Sequence, residues 1–140
     1  MQSSGKTLIN PPGTEQIYRH FQFSQAVRAG NRVWVSGQVG IDENAKPLDG
    51  IEAQARAAFS GLQRVLAEAG AGLEDVVELV TYHTSMKEIG KFLKVKAGFI
   101  PEDFPAWTAV GVTELVMPGL LCEIRATAVI GSGSSKPEET

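Results

Sequence analysis

The sequence predicts an α+β domain: a single sheet with two helices on one face, its elements in the order β-β-α-β-α-β-β. Three observations predict it. Apolar periodicity switches between two-residue steps and three- or four-residue steps, and each switch is bounded by glycine, proline or asparagine. Two stretches carry the helical step, one from Ile51 and one from Met86, with strand-like runs before, between and after them. The last of these runs alternates Cys122, Ile124, Ala126, Ala128 and Ile130 with Leu121, Glu123, Arg125 and Thr127, giving one apolar and one mixed face. Such a mixed face fits packing against a partner subunit, and it equally fits a half-exposed sheet.

Each element has its own signal. The turn cluster Asn10-Pro11-Pro12-Gly13 sets off a polar leader, so residues 1–19 are expected to form an N-terminal arm. Phe23 to Arg28 can pair across Gly30-Asn31 with Arg32 to Val39, a run rich in β-branched and aromatic residues. From Ile51 to Ala69 the residues Ala55, Ala58, Phe59, Leu62, Val65 and Leu66 mark one helical face, and Gly70 stops it. Leu73 to Thr84 opens with an acidic turn and becomes a strand. Met86 to Ile100 is the second helix, carrying Gly90 and Gly98 within it. Phe104-Pro105 breaks the chain, Ala106 to Val112 is extended, and Leu120 to Ile130 is the closing strand. Residues 131–140 have no apolar side chain able to dock them and are expected to form a disordered tail, leaving one domain over 20–130.

Composition narrows the function classes. At 140 residues, 43% hydrophobic and 21% charged, the chain has material for one core without staples. No run approaches the roughly 18 apolar residues of a membrane span, and the start lacks a signal-peptide layout, so the cytoplasm is the expected compartment. The single cysteine, Cys122, excludes a disulfide framework within the chain and a Cys-rich zinc site. A net charge of -3 gives no pull toward nucleic acid or anionic membrane.

Three segments together resemble the Rid superfamily, also called the YjgF or RidA family: Phe23-Ser24-Gln25-Ala26-Val27, Val35-Ser36-Gly37-Gln38-Val39 and Cys122-Glu123-Ile124-Arg125-Ala126-Thr127-Ala128. The resemblance spans about 20–130 and implies a chorismate-mutase-like fold, assembled as a homotrimer with three clefts at the subunit interfaces. It also implies hydrolysis of reactive imines and enamines, such as 2-iminopropanoate, to ketoacids and ammonia. In that family a carboxylate positions or activates water and an arginine holds the substrate carboxylate. Carried over by position, the carboxylate is Glu123, the backbone lining falls on Ser36, Gly37 and Ala109, and Phe23 forms an aromatic wall. No cofactor or metal is implied, because a protonated imine is already electrophilic.

The arginine is absent: Pro105-Ala106 is followed by Trp107-Thr108, and an indole has one N–H donor where a guanidinium has a fork. A family asparagine position aligns with Leu93. Tyr82-His83 and the segment from Pro105 to Val112 look most like the YjgH-like branch.

Competing readings remain for each candidate. Glu123 is either an acid/base in an interfacial cleft or a solvated strand residue paired with Arg125. His83 is either a packed core histidine or a second acid/base group, if it shares a cleft with Glu123. Trp107 either lines a pocket for an uncharged or aromatic substrate or packs in the core. Arg125 and Arg19 are possible substitutes for the missing cation, and surface arginines are usually just solvated. Cys122 falls on the apolar face as a small hydrophobe, and Lys91, Lys94 and Lys96 read as a wet helix face. Some relatives are described as ribonucleases, but this chain has no basic stripe interleaved with aromatics. The expectation is a trimeric, cofactor-independent imine or enamine hydrolase with a small-molecule metabolite in its clefts; its rival is a non-catalytic binding or interaction trimer.

Overall fold

The computed structural model describes residues 5–133. Along them run β1 (Thr7–Ile9), α1 (Glu15–Phe21), β2 (Ala26–Ala29), β3 (Arg32–Gln38), α2 (Ile51–Ala69), β4 (Val76–His83), α3 (Ile89–Phe99), β5 (Ala106–Gly111) and β6 (Cys122–Val129). The strands form one mixed sheet in the order β1-β2-β3-β6-β4-β5. All neighbours are antiparallel except β4 and β5, which α3 links as a parallel crossover. From residue 23 onward this is the expected element order.

The long helix lies where its periodicity put it. Gly70 ends α2 at φ 92°, a left-handed turn that costs glycine little. The buried stripe of α2, from Ala55 to Leu66, shares one core with Val33, Val35, Ile124 and Ala126 of the sheet. Phe59 of α2 stacks on Phe99 of α3 at 5.2 Å between ring centroids and lies 5.7 Å from Phe92. Burying a side chain of that size is worth roughly 1.5–3 kcal/mol. The second expected helix opens as a 3-10 turn, Met86–Glu88, before becoming α3.

Two boundaries differ from expectation. The N-terminal leader is not a plain arm, because β1 pairs with β2 (Leu8 against Val27) and buries Ile9. Asn10 fastens the turn that follows: its Oδ1 accepts from the Gln25 N–H at 3.0 Å and its Nδ2 donates to Ser24 Oγ at 3.3 Å. Arg64 of α2 donates to the Pro12 carbonyl. The boundary at residue 19 falls inside α1, a helix that buries none of its own residues in the protomer. At the other end, the Gly133 N–H donates to Asp75 Oδ1 at 2.9 Å, so the first residues after 130 are tied to the 3-10 turn Leu73–Asp75. Residues 134–140 of the expected tail lie outside the described residues.

Candidate functional site

Strand register decides which candidates share a face. On β6, Cys122, Ile124, Ala126 and Ala128 turn toward the helices and are buried, leaving Glu123, Arg125 and Thr127 on the helix-free face. Tyr82 of β4 pairs with Glu123, and Val80 pairs with Arg125. Trp34 of β3 pairs with Thr127 and is 42% exposed.

Glu123 is the focus of that face. A register shift between Val35 and Gln38 places Ser36 and Gly37 in a bulge of β3 beside β6. A Cβ on Gly37 would overlap Glu123 Oε2 and come within 2.6 Å of its carboxyl carbon, so glycine there lets the carboxyl group lie against main chain. Ser36 is held from the other side: its N–H donates to the Gln25 carbonyl at 2.8 Å and its hydroxyl to the Ser24 carbonyl at 2.7 Å. The buried Gln38 amide bonds Gln25 Oε1 at 2.9 Å, locking the two segments together. Phe23, 41% exposed, directly precedes Ser24 at this junction.

The Glu123 carboxyl is half-buried and, among the described residues, has neither an ion-pair nor a hydrogen-bond partner. The expected alternative of a pair with Arg125 is therefore not formed. Burial holds its affinity for a proton above that of an ordinary glutamate. A carboxyl in that condition is suited to accepting a proton from water.

His83 and Trp107 are on the opposite face. His83 of β4 is 1% exposed, packed edge-on against Phe92 with ring centroids 4.7 Å apart. Its Nε2 lies 2.7 Å from Thr81 Oγ1, which also accepts the Trp107 Nε1–H at 2.9 Å. The other ring nitrogen, Nδ1, is a buried atom without a partner among the described residues. Burial lowers the proton affinity of this ring. His83 thus shares no face with Glu123 and cannot act beside it within one protomer. Trp107 lies against Phe92, with ring centroids 6.3 Å apart.

The candidates therefore form two groups. Phe23, Ser36, Gly37 and Glu123 surround the β3 bulge. Trp107 and Ala109 lie on β5, an edge strand of the sheet among the described residues, beneath α3 with its 46% exposed Leu93. A concavity of about 730 Å³ runs between Leu73, Val76 and the segment from Phe99 to Ala106, and Glu123 does not line it.

Cys122 takes no part. Burial first, and the neighbouring Glu123 charge second, push its thiol up to about 12. Iodoacetamide at pH 8 is expected to leave it unmodified in the native protein and to alkylate it after denaturation; rapid native labelling would contradict this burial.

Three positions escaped the sequence reading. Lys96 is buried on the inner face of α3, and the signal was its phase with Phe92 and Phe99, set aside because lysines are usually solvated. Thr81 and Gln54 are buried polar residues, and although each has one partner nearby in sequence, His83 and Leu48, the Trp107 bond to Thr81 and the Gly119 and Leu121 bonds to Gln54 are long-range.

The pattern of the endoribonuclease L-PSP family matches residues 14–130. The RutC family protein YjgH of Escherichia coli is 35% identical over 127 residues, covering 89% of this chain and 95% of that protein. A 2-iminobutanoate/2-iminopropanoate deaminase of Dermatophagoides farinae is 34% identical over 114 residues, covering 80% of this chain and 88% of that protein. Among solved structures, Rv2704 of Mycobacterium tuberculosis, described as a member of the YjgF/YER057c/UK114 family, superposes with a TM-score of 0.79 at 32% identity, covering 90% of this chain and all of that one. The family pattern over residues 14–130, the shared fold and these identities make the chain a member of the YjgF/RidA (endoribonuclease L-PSP) family, on its YjgH-like side.

Proposed function

We propose that the protein is a cofactor-independent hydrolase of imine- or enamine-type metabolites, acting as a homotrimer. The observation that carries this reading is the Glu123 carboxyl, unpaired, half-buried and seated on the Gly37 main chain. As a carboxylate it takes a proton from water as that water's oxygen attacks the imine carbon. From the protonated imine this gives a neutral carbinolamine, and Glu123 hands the proton it took to the carbinolamine nitrogen. The C–N bond breaks as the hydroxyl proton moves to Glu123, and the departing ammonia carries that proton away as ammonium, restoring the carboxylate. One imine and one water give one carbonyl compound and one ammonia.

The split of the candidates supports the trimer. A helix-free face presenting Trp34, Val80 and Tyr82 is the kind a second subunit covers, and the edge strand β5 of one subunit would bring Trp107 and Ala109 to the Glu123 group of the next. Trp107, standing where deaminases of the family carry arginine, would alter substrate specificity. No helix among the described residues is long and apolar enough to cross a membrane. The buried free thiol of Cys122 fits a reducing compartment such as the cytoplasm.

A second reading, a trimer that binds a small molecule without turning it over, is favoured by one observation. Trp107 is engaged with Thr81 and Phe92, as a packing residue would be. The two readings separate on ammonia release from freshly generated 2-iminopropanoate and from an uncharged imine of similar size, measured against buffer. The hydrolase reading expects a protein-dependent rate and a particle of three chains in sedimentation equilibrium. Buffer rates on both substrates would hand the case to the binding reading, and a monomer would remove both.

A further inference from the structure

We propose that Lys96 anchors the carboxylate of the substrate, supplying from α3 the positive charge that Trp107 does not. Its side chain turns inward beside Phe92 and Val95, and the residue is 5% exposed. Its Nζ lies 4.6 Å from the ring centroid of Trp107 and 5.4 Å from that of Phe104. Among the described residues it forms no ion pair, the pair on this helix being Lys91 with Glu88. An ammonium group buried without a counter-ion is costly, and two aromatic faces return only part of that cost. The residue keeps a small exposure to solvent, and among the described residues the fully buried side-chain atom without a partner is His83 Nδ1, not the Lys96 amine. An unpaired cation with an opening to solvent, on the same edge as Trp107, has the chemistry of an anion site awaiting its anion. Desolvation also lowers the proton affinity of Lys96, and a bound carboxylate reverses that effect.

The chemistry also defines the ligand class. An ammonium is a point charge and imposes no two-pronged geometry, so the carboxylate is held without a fixed plane. The Trp107 and Phe104 rings beside it favour an apolar or unsaturated body next to that carboxylate. The class is small 2-imino carboxylates with apolar side chains, together with the 2-oxo carboxylates they become. The reaction rests on the hydrolase reading above, whereas the binding does not.

The test is isothermal titration of the intact protein with pyruvate, and with methyl pyruvate as the uncharged control. Lys96→Met keeps the length and removes the charge, Lys96→Arg keeps the charge, and Lys96→Gln is a second neutral variant in case methionine impairs folding. Loss of one charge-assisted contact is expected to weaken pyruvate binding on the order of tenfold or more in the neutral variants. Arginine should retain binding, and methyl pyruvate should bind all forms alike. In turnover of 2-iminopropanoate the neutral variants should raise KM and leave kcat nearly unchanged. Wild-type protein that does not bind pyruvate, or neutral variants that bind it as tightly as wild type, would overturn the proposal. Lys96-dependent pyruvate binding without turnover of any imine would retain the anchor and discard the hydrolase.

Discussion

Replacing Gln54 with leucine is expected to destabilise the protein by about 3 kcal/mol, the loss at once of three hydrogen bonds to part-buried backbone groups. The Gln54 side chain is 1% exposed, and both ends of its amide are fully engaged. Its Nε2 donates to the carbonyls of Leu48 at 2.8 Å and Gly119 at 2.9 Å, and its Oε1 accepts the Leu121 N–H at 2.7 Å. One helical residue thereby joins the loop before α2 to the loop before β6. Leucine fills nearly the same volume but satisfies none of the three groups, and the buried position of the side chain leaves no room for water on its side of them. A urea titration of wild type and variant measures the difference, with thermal melting falling by on the order of 10 °C or more for a domain of this size. The effect reaches the candidate site, since Leu121 is two residues from Glu123 and the strand that carries the carboxyl starts from this anchor. A loss below about 1 kcal/mol would show that other contacts hold the two loops.

What could be read from the sequence was what repeats. The apolar step of α2 fixes its limits and its buried face because nine of its residues are buried, enough to set a phase. The alternation of β6 places Cys122 inward and Glu123 outward for the same reason. Elements without such repetition were not legible. With three residues and only Ile9 buried, β1 takes its place from its pairing with β2. The bulge at Ser36 and Gly37 is a local departure from alternation; a glycine inside a strand run is compatible with one but does not fix the register shift, which the pairing with β6 shows. His83 follows Tyr82 in sequence, yet only the pairing of β4 with β6 shows that the tyrosine, not the histidine, stands beside Glu123. Lys96 was misread because charge outweighed helical phase, although Phe92, Val95 and Phe99 mark its side of α3 as the inner one.

The account turns on Glu123, and its substitution by glutamine is expected to lower turnover by roughly 10²–10⁴-fold, the contribution of a positioned general base. The amide keeps the shape of the carboxyl, so the fit against Gly37 is preserved while the capacity to take a proton is lost. Stability should move the other way. Burial raises the folded-state pKa of Glu123 above its ordinary 4.5, so the ionised side chain carries a cost at pH above that raised value. The cost is relieved as pH falls through it, and it is absent in the glutamine variant. At neutral pH the variant should therefore melt no lower than wild type, which separates loss of chemistry from loss of fold. The pH profile of kcat/KM in wild type should show an acid limb above 4.5, where Glu123 becomes protonated and can no longer accept a proton from water. The most direct measurement is ammonia release from freshly generated 2-iminopropanoate by wild type and Glu123→Gln in parallel, with melting curves of both. The account predicts protein-dependent turnover in wild type and near-buffer rates in a variant that melts at least as high. Equal turnover by the two proteins would contradict it.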